Sequence, residues 1–321
     1  MDTLLSRHDA NRLGHLITLV FVIVPFIALL FAIRQLWNRE VNGQDLVLCG
    51  VLYALTALGI TVGFHRLITH RSFVAVGPVR AMLLILGSMA VEGPAVSWVA
   101  THLEHHARSD RDGDPHSPRD GFWHAHLGWM LGAYSSKPDV YARHLRNDRM
   151  VQFISRTFFL WVGVSLALPA LLDGWLSMGS VGGFGTGFWH GFLWGGLVRM
   201  CLAHHVTWSV NSVCHTFGQR PFPATRDTSR NNVVVGLLAF GEGWHNNHHA
   251  FPSAAFHGFT WWQVDMSAYL IRLLRLLGLA TKVQMPSPLA IAREHARTRE
   301  SEVARVPEAQ AQDTIPRTHA M

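Results

Sequence analysis

The chain is poor in charge. Only 15% of its 321 residues are Asp, Glu, Lys or Arg, against about 25% in a soluble globular protein, which excludes an ordinary aqueous enzyme. The 27 Lys and Arg form no basic run, so the net charge of +6 and the pI near 9.8 point to a membrane surface and not to nucleic acid. Cysteine is scarce: Cys49, Cys201 and Cys214, odd in number and without CxxC spacing, make neither a disulfide framework nor a thiolate metal site. No GxGxxG follows a strand, and there is no P-loop and no CxxCH, so the chain holds no nucleotide or haem to supply electrons. No internal repeat is present. What is abundant is histidine, at 21 residues as many as Asp and Glu together.

A spanning helix needs roughly 18–20 apolar residues to cross a hydrocarbon core of ~30 Å with every backbone group paired. Four segments meet this: 16–33 and 46–64, which carry no charge, 157–172, and 184–203, interrupted only by Arg199. A fifth apolar stretch, 81–100, is broken by Glu92, Gly93 and Pro94 and is read as a non-spanning hairpin. Charge supports this. Ten Lys and Arg lie between His65 and Met150, none between Asp173 and Gly183, and two between Arg34 and Asp45, so four crossings leave the basic segments on one side with both termini cytoplasmic. Beyond the last span, 261–279 reads as an interfacial helix with Asp265, Arg272 and Arg275 on one stripe and Trp262, Leu270, Leu273, Leu274 and Leu277 elsewhere. Residues 1–285 then form the membrane domain, and 286–321 read as a polar, disordered tail. The fold class is an all-α membrane protein with a cytoplasmic helical cap.

Three histidine clusters stand out: His65-Arg-Leu-Ile-Thr-His70, His102-Leu-Glu-His105-His106 and His245-Asn-Asn-His248-His249. Two share the spacing HxxHH, which a random chain of this composition shows roughly 0.1 times. In a helix i, i+3 and i+4 share a face, so each HxxHH predicts three imidazoles aimed at one point. His65 and His70 are five apart, about 140° around an ideal helix, so the helix must loosen or end between them. With four spans all eight emerge on one face. That number exceeds the roughly four ligands of one zinc site and argues for two metal ions with room for an exogenous ligand.

The boxes, their order between the spans, and the segments HRLITHRSF (65–73), DGDPHSPRDGFWHAHLGW (112–129), NSVCHTFGQRPF (211–222) and SRNNVVVGLLAFGEGWHNNHHAFP (229–252) together resemble the membrane fatty acyl desaturases of the stearoyl-CoA type, with the membrane hydroxylases and ketolases more distant. The resemblance covers about Gly63 to Pro252. It implies two iron ions cycling between Fe2+ and Fe3+, with His65, His70, His102, His105, His106, His215, His245, His248 and His249 as ligands and Asn211 acting through water. It further implies O2-dependent insertion of a cis double bond, at the delta-9 position, into a saturated acyl chain carried as a thioester or in a lipid, coenzyme A being the first expectation. Ala100-Thr101 stands where vertebrate acyl-CoA members carry Arg-Asp, which leaves the carrier open. Electrons are expected from an external cytochrome b5, ferredoxin or reductase docking on the basic face. A metal transporter or storage protein is the reading from another class, but transport wants ligands near the bilayer midplane.

Other residues are read individually. Glu242, three before His245, is expected to hydrogen-bond a ligand imidazole, and Asp114 and His116 to support the site. Trp98 is assigned to the substrate channel. Glu104 is placed toward headgroups or solvent. Arg199, costly within a span by at least about 2.5 kcal/mol, must find a polar partner. His204 and His205 lack a third histidine on their face and are read as non-ligands, as are His8, His15, His144, His295 and His319.

Overall fold

The computed structural model describes residues 7–38, 40–132 and 134–297. Helix α1 is Arg7–Trp37. Helix α2 runs over Gly43–Thr69, with a capping box between Asn42 and Asp45 at its start and a π-form second half, Gly59–Thr69. A short α3, Gly77–Ser88, turns back along α2, and α4, Ala95–Arg108, carries the second histidine cluster. Helix α5 is Arg149–Arg156 and α6 is Phe158–Leu176. Helix α7 spans 183–212, with a π-form centre at Gly191–Val198. Three shorter helices follow: α8, Val233–Leu238, α9, His245–Ala250, and α10, Met266–Leu276. Two-residue strands β1, Val74–Ala75, and β2, Ala280–Thr281, pair antiparallel and tie the C-terminal segment to the turn after α2.

Three helices are long and apolar enough to cross a membrane: Gly14–Trp37, Gly43–Thr69 and Phe158–Leu176. Their outward faces expose Ile23, Ile27, Leu30, Val47, Val51, Leu160 and Leu171, as lipid-facing side chains would. The stretch 184–203 lies within the continuous α7, but its glycines, His190 and Arg199 lower its hydropathy, so it is not among the three. The hairpin is short in space as well. At 12 residues and about 1.5 Å per residue, α3 reaches roughly 18 Å.

Glycine sets how closely α3 approaches α2. A Cβ on Gly59 would sit 2.1 Å from the backbone N of Gly87, and one on Gly63 would sit 2.7 Å from the Leu83 carbonyl, a small-xxx-small contact of the kind that lets membrane helices touch backbone to backbone. The end of α3 is then capped from α7. Arg199, fully buried, donates to the carbonyls of Met89 (3.0 Å) and Gly195 (3.1 Å) and to the hydroxyl of Ser165 (2.6 Å). His204 pairs with the Ala90 carbonyl at 2.9 Å. No carboxylate pairs with Arg199 among the described residues; the charge in α7 caps a helix end and so positions Glu92 just beyond it.

Three readings are corrected. Helix α10 is shorter than 261–279, and Asp265 is not on a polar stripe: it caps the helix through the Ala268 N–H and pairs with the buried guanidinium of Arg66 at 3.0 Å. Glu104 is fully buried, bonded to the Tyr134 hydroxyl and to Lys137, because its place on α4 points it into the packed side. Residues 288–297 are helical, with His295 stacked on Phe222; residues 298–321, with His319, and the side chain of His8 lie outside the described residues. His15 and His144 are exposed.

Replacing Arg199 by Leu removes the donors to Met89, Gly195 and Ser165, leaves the Met89 carbonyl with the Ser165 hydroxyl alone at 2.7 Å, and should destabilise the fold by about 1–3 kcal/mol. A detergent melt in which Arg199→Leu matches the wild type would contradict the capping role.

Candidate metal centre

The π-form of α2 solves the five-residue spacing of the first cluster. Its backbone bond runs from the His70 N–H to the His65 carbonyl at 3.0 Å, an i→i+5 closure that brings both rings to one side. The third cluster is fixed by the asparagines inside it. Asn231 Oδ1 accepts the N–H groups of Asn246 and Asn247, Asn246 Oδ1 accepts that of Phe222, and Asn247 Nδ2 donates to the His257 carbonyl. With both asparagines buried and bonded, the three histidines of α9 are left to face inward.

Nine imidazoles converge in two groups, His65, His70, His102, His106 and His248 in one, His105, His215, His245 and His249 in the other, each group with its ligand atoms within 4.8 Å of one another. The Nε2 atoms approach closely: His65 to His248 at 3.2 Å, His70 to His102 at 3.0 Å, His106 to His248 at 2.9 Å, His215 to His245 at 3.0 Å and His245 to His249 at 3.1 Å. The expectation that each HxxHH aims at one point is corrected. In α4, His102 and His106 serve the first group and His105 the second; in α9, His245 and His249 serve the second and His248 the first. Residues i+3 and i+4 are about 100° apart around a helix, so one helix face looks into two adjacent points.

Behind the imidazoles stands a layer of carboxylates. His65 Nδ1 meets Glu242 at 2.6 Å, His105 Nδ1 meets Asp114 at 3.0 Å, His215 Nδ1 meets Asp110 at 3.0 Å and His249 Nδ1 meets Asp227 at 2.9 Å. A carboxylate accepts a hydrogen bond from Nδ1–H, which holds the proton there and leaves Nε2 as a bare lone pair. Several such lone pairs facing one another at about 3 Å repel unless a cation lies between them, so the donor set fits two metal ions. Glu242 and Asp114, which the sequence reading set beside the histidines, lie against His65 and His105. Asp110 and Asp227 were missed, since no spacing links them to the histidines they orient. Also missed was a buried knot in which Arg66 joins Glu242, Asp265 and His257.

His116 stacks on His105 with centroids 4.3 Å apart and belongs to neither group. His204 and His205 also lie outside both groups, His205 against His126. His215 sits on a turn of 3-10 helix after α7. Asn211 faces an apolar cavity whose wall also holds Tyr53, Ala57, Ile60, Trp98, Val206, Thr207, Val210 and Ala239, with His65, His102, His105 and His245 at one end. Trp98 stacks on His102 at 5.2 Å and donates its N–H to Glu92; Thr207 donates to the other Glu92 oxygen at 2.8 Å.

Burial, then the neighbouring imidazoles, hold His102, His106, His245, His248 and His249 well below the usual histidine range. Burial pushes His116 down to about 3. For Glu242 burial opposes ionisation, but its interactions with His65, His257 and Arg66 outweigh it and hold its carboxyl well below the ordinary value. Burial lifts Glu92 to about 7 against the bonds from Thr207 and Trp98.

Paired histidine clusters able to bind metal, a carboxylate layer behind them, an apolar cavity beside them and three helices long and apolar enough to cross a membrane describe a membrane-associated protein with a candidate metal centre. A family model for fatty acid desaturases matches residues 45–271. Among curated proteins the chain is 38% identical over 281 residues, 84% of it and 86% of the relative, to a hex-5-enoyl-[acyl-carrier protein] acetylenase of Moorena producens (strain JHB). It is 41% identical over 238 residues, 73% and 82% of the two chains, to an sn-1 stearoyl-lipid 9-desaturase of Anabaena variabilis, and 40% identical over 251 residues, 75% and 74%, to an acyl-CoA C20 delta5-desaturase of Anemone leveillei. The chain belongs to the fatty acid desaturase family. It is an oxidoreductase that desaturates fatty acyl chains.

The depressed imidazoles set a pH dependence. Their folded-state affinity for protons is lower than in the unfolded chain, so they contribute stability above pH ~6.5 that is lost as pH falls below it. Glu92 acts in the opposite sense, its contribution being lost as pH rises through about 7, but it is one group against several. Metal-stripped protein should therefore lose melting temperature steadily from pH 6.5 toward 5; a flat profile would contradict the packing of neutral imidazoles.

Proposed function

We propose that the two clusters hold two iron ions and that the enzyme uses O2 to place a cis double bond, at the delta-9 position, in a saturated long acyl chain. The observation that carries this reading is the convergence, in two groups, of nine imidazoles, four of which, His65, His102, His105 and His245, line an apolar cavity. His65, His70, His102, His106 and His248 would hold one ion. His105, His215, His245 and His249 would hold the other, with Asn211 completing it through water. Iron bound there supplies the O2-derived oxidant that an unactivated methylene requires and that no side chain provides.

The chain's own residues do the rest. Glu242, Asp114, Asp110 and Asp227 keep four Nδ1 atoms protonated and their rings oriented. The wall of Ala57, Ile60, Val206 and Val210 takes the acyl chain out of water. Trp98, Glu92 and Thr207, bonded in series, fix one side of that wall, and Tyr53, held through its hydroxyl by the Leu238 carbonyl at 2.7 Å, limits how far the chain passes the imidazoles. Regiochemistry and chain length follow from that depth.

The topology we propose has four spans, α7 supplying the fourth, with the histidines and both termini on the cytoplasmic side and α10 in the interface, where Leu273, Leu276 and Leu277 are exposed. Electrons come from an external carrier such as cytochrome b5, a ferredoxin or its reductase. The named relatives act on carrier-protein, lipid and coenzyme A substrates, and Ala100-Thr101 lacks the charged pair expected for coenzyme A, so an acyl group in a membrane lipid is the proposed substrate.

Gas chromatography of cellular fatty acids tests the reading. Wild-type expression should add a delta-9 monoene with no oxygen from 18O2 in the product, and His105→Ala should abolish it while the protein remains in the membrane. Unaltered monoene from His105→Ala would overturn the assignment. Tyr53→Ala should shift the product toward longer chains; an unchanged length profile would remove Tyr53 from the cavity floor.

A further inference from the structure

Of the segment 112–129, the metal centre uses only Asp114. Two aromatic residues of that segment, His116 and Trp129, form a continuous line of ring contacts with Tyr134 and His105. His116 stacks on His105 with ring planes 30° apart, Trp129 meets His116 edge-on at 5.5 Å, and Tyr134 meets Trp129 edge-on at 5.6 Å. His116 is buried, while Trp129 and Tyr134 are half-buried, so three ring contacts lead from the protein's outside to an imidazole of the second cluster. Trp129 Nε1 is buried without a hydrogen-bond partner, and His116 Nδ1, buried 4.0 Å from the Asp114 carboxylate, makes no hydrogen bond. A smaller apolar side chain would avoid that cost, and such orphaned groups call for a role other than packing. None of the three rings lines the acyl cavity, whose own tryptophan, Trp98, lies against the first cluster.

We propose that Tyr134, Trp129 and His116 are the route by which electrons enter the metal centre, with a one-electron carrier protein docking over Trp129 and Tyr134. This rests on the di-iron reading above. The reaction consumes two electrons: an acyl –CH2–CH2– unit, O2, two electrons and two protons give –CH=CH– and two waters. Each electron leaves the reduced centre of the carrier, which is oxidised, and arrives at the metals, which are reduced; the rings bridge the gap without changing oxidation state. Because the route avoids the cavity wall, reduction proceeds with the acyl chain in place.

The three native cysteines are buried, whereas Ser135 is exposed, so Ser135→Cys accepts a photoactive ruthenium label beside Tyr134. With a sacrificial reductant present, a flash injects one electron, and absorbance and paramagnetic resonance report its arrival in the metal-loaded, full-length protein. Trp129→Leu in this background should slow arrival by an order of magnitude or more, and Trp129→Phe, which keeps a ring, should stay within a factor of a few, with metal content and dithionite reduction unchanged in both. Arrival at the parent rate in Trp129→Leu, metal content intact, overturns the route. If Trp129→Leu loads no metal, Tyr134→Leu against Tyr134→Phe decides in the same way. A parent protein that binds no iron sinks the di-iron reading itself, before any rate is compared.

Discussion

The structure depends on a repulsion. Eight imidazole nitrogens are pressed to about 3 Å from one another, with that of His105 beside them, and carboxylates behind His65, His105, His215 and His249 ensure that at least these four rings present lone pairs, not protons. Left alone, such an arrangement would spread apart or take up protons. Cations bound between the lone pairs would relieve that repulsion, and the distortions around the site hold the rings in place.

Those distortions are specific. A π-helix replaces an ordinary one where His65 and His70 must share a side. Val91 and Phe240 adopt positive φ, 64° and 50°, the first costly for a β-branched residue, and each lies just before a carboxyl that the site uses, Glu92 or Glu242. Arg199 and His204 reach across from α7 to close the end of α3, which keeps the Val91 turn in place. Arg66 ties Glu242 to Asp265 and thereby to α10. Helix α10 is in this way joined through three charged groups to the ring of His65.

Much of this was legible in the sequence. HxxHH twice, with a third pair five apart, marked eight of the nine histidines that converge, and scarcity of charge anticipated the long apolar helices. His215 and Asn211 came from the family resemblance and not from spacing alone, and the structure brings His215 into the second group. The division of labour within HxxHH was not legible, because residue spacing gives the angle between side chains and not the number of points they address. Asp110 and Asp227 were hidden for a related reason: each reaches its imidazole across tens to a hundred residues of chain. Glu104 was misplaced because a charge beside the membrane was assigned to water, whereas Lys137 and Tyr134 bring its partners into the packed region.

The most direct test of the central claim is the metal content and ligand environment of the purified protein, by elemental analysis joined to X-ray absorption at the iron edge. The account predicts two irons per chain in a shell dominated by imidazole nitrogen. A single iron per chain, or a shell led by carboxylate oxygen, would contradict it.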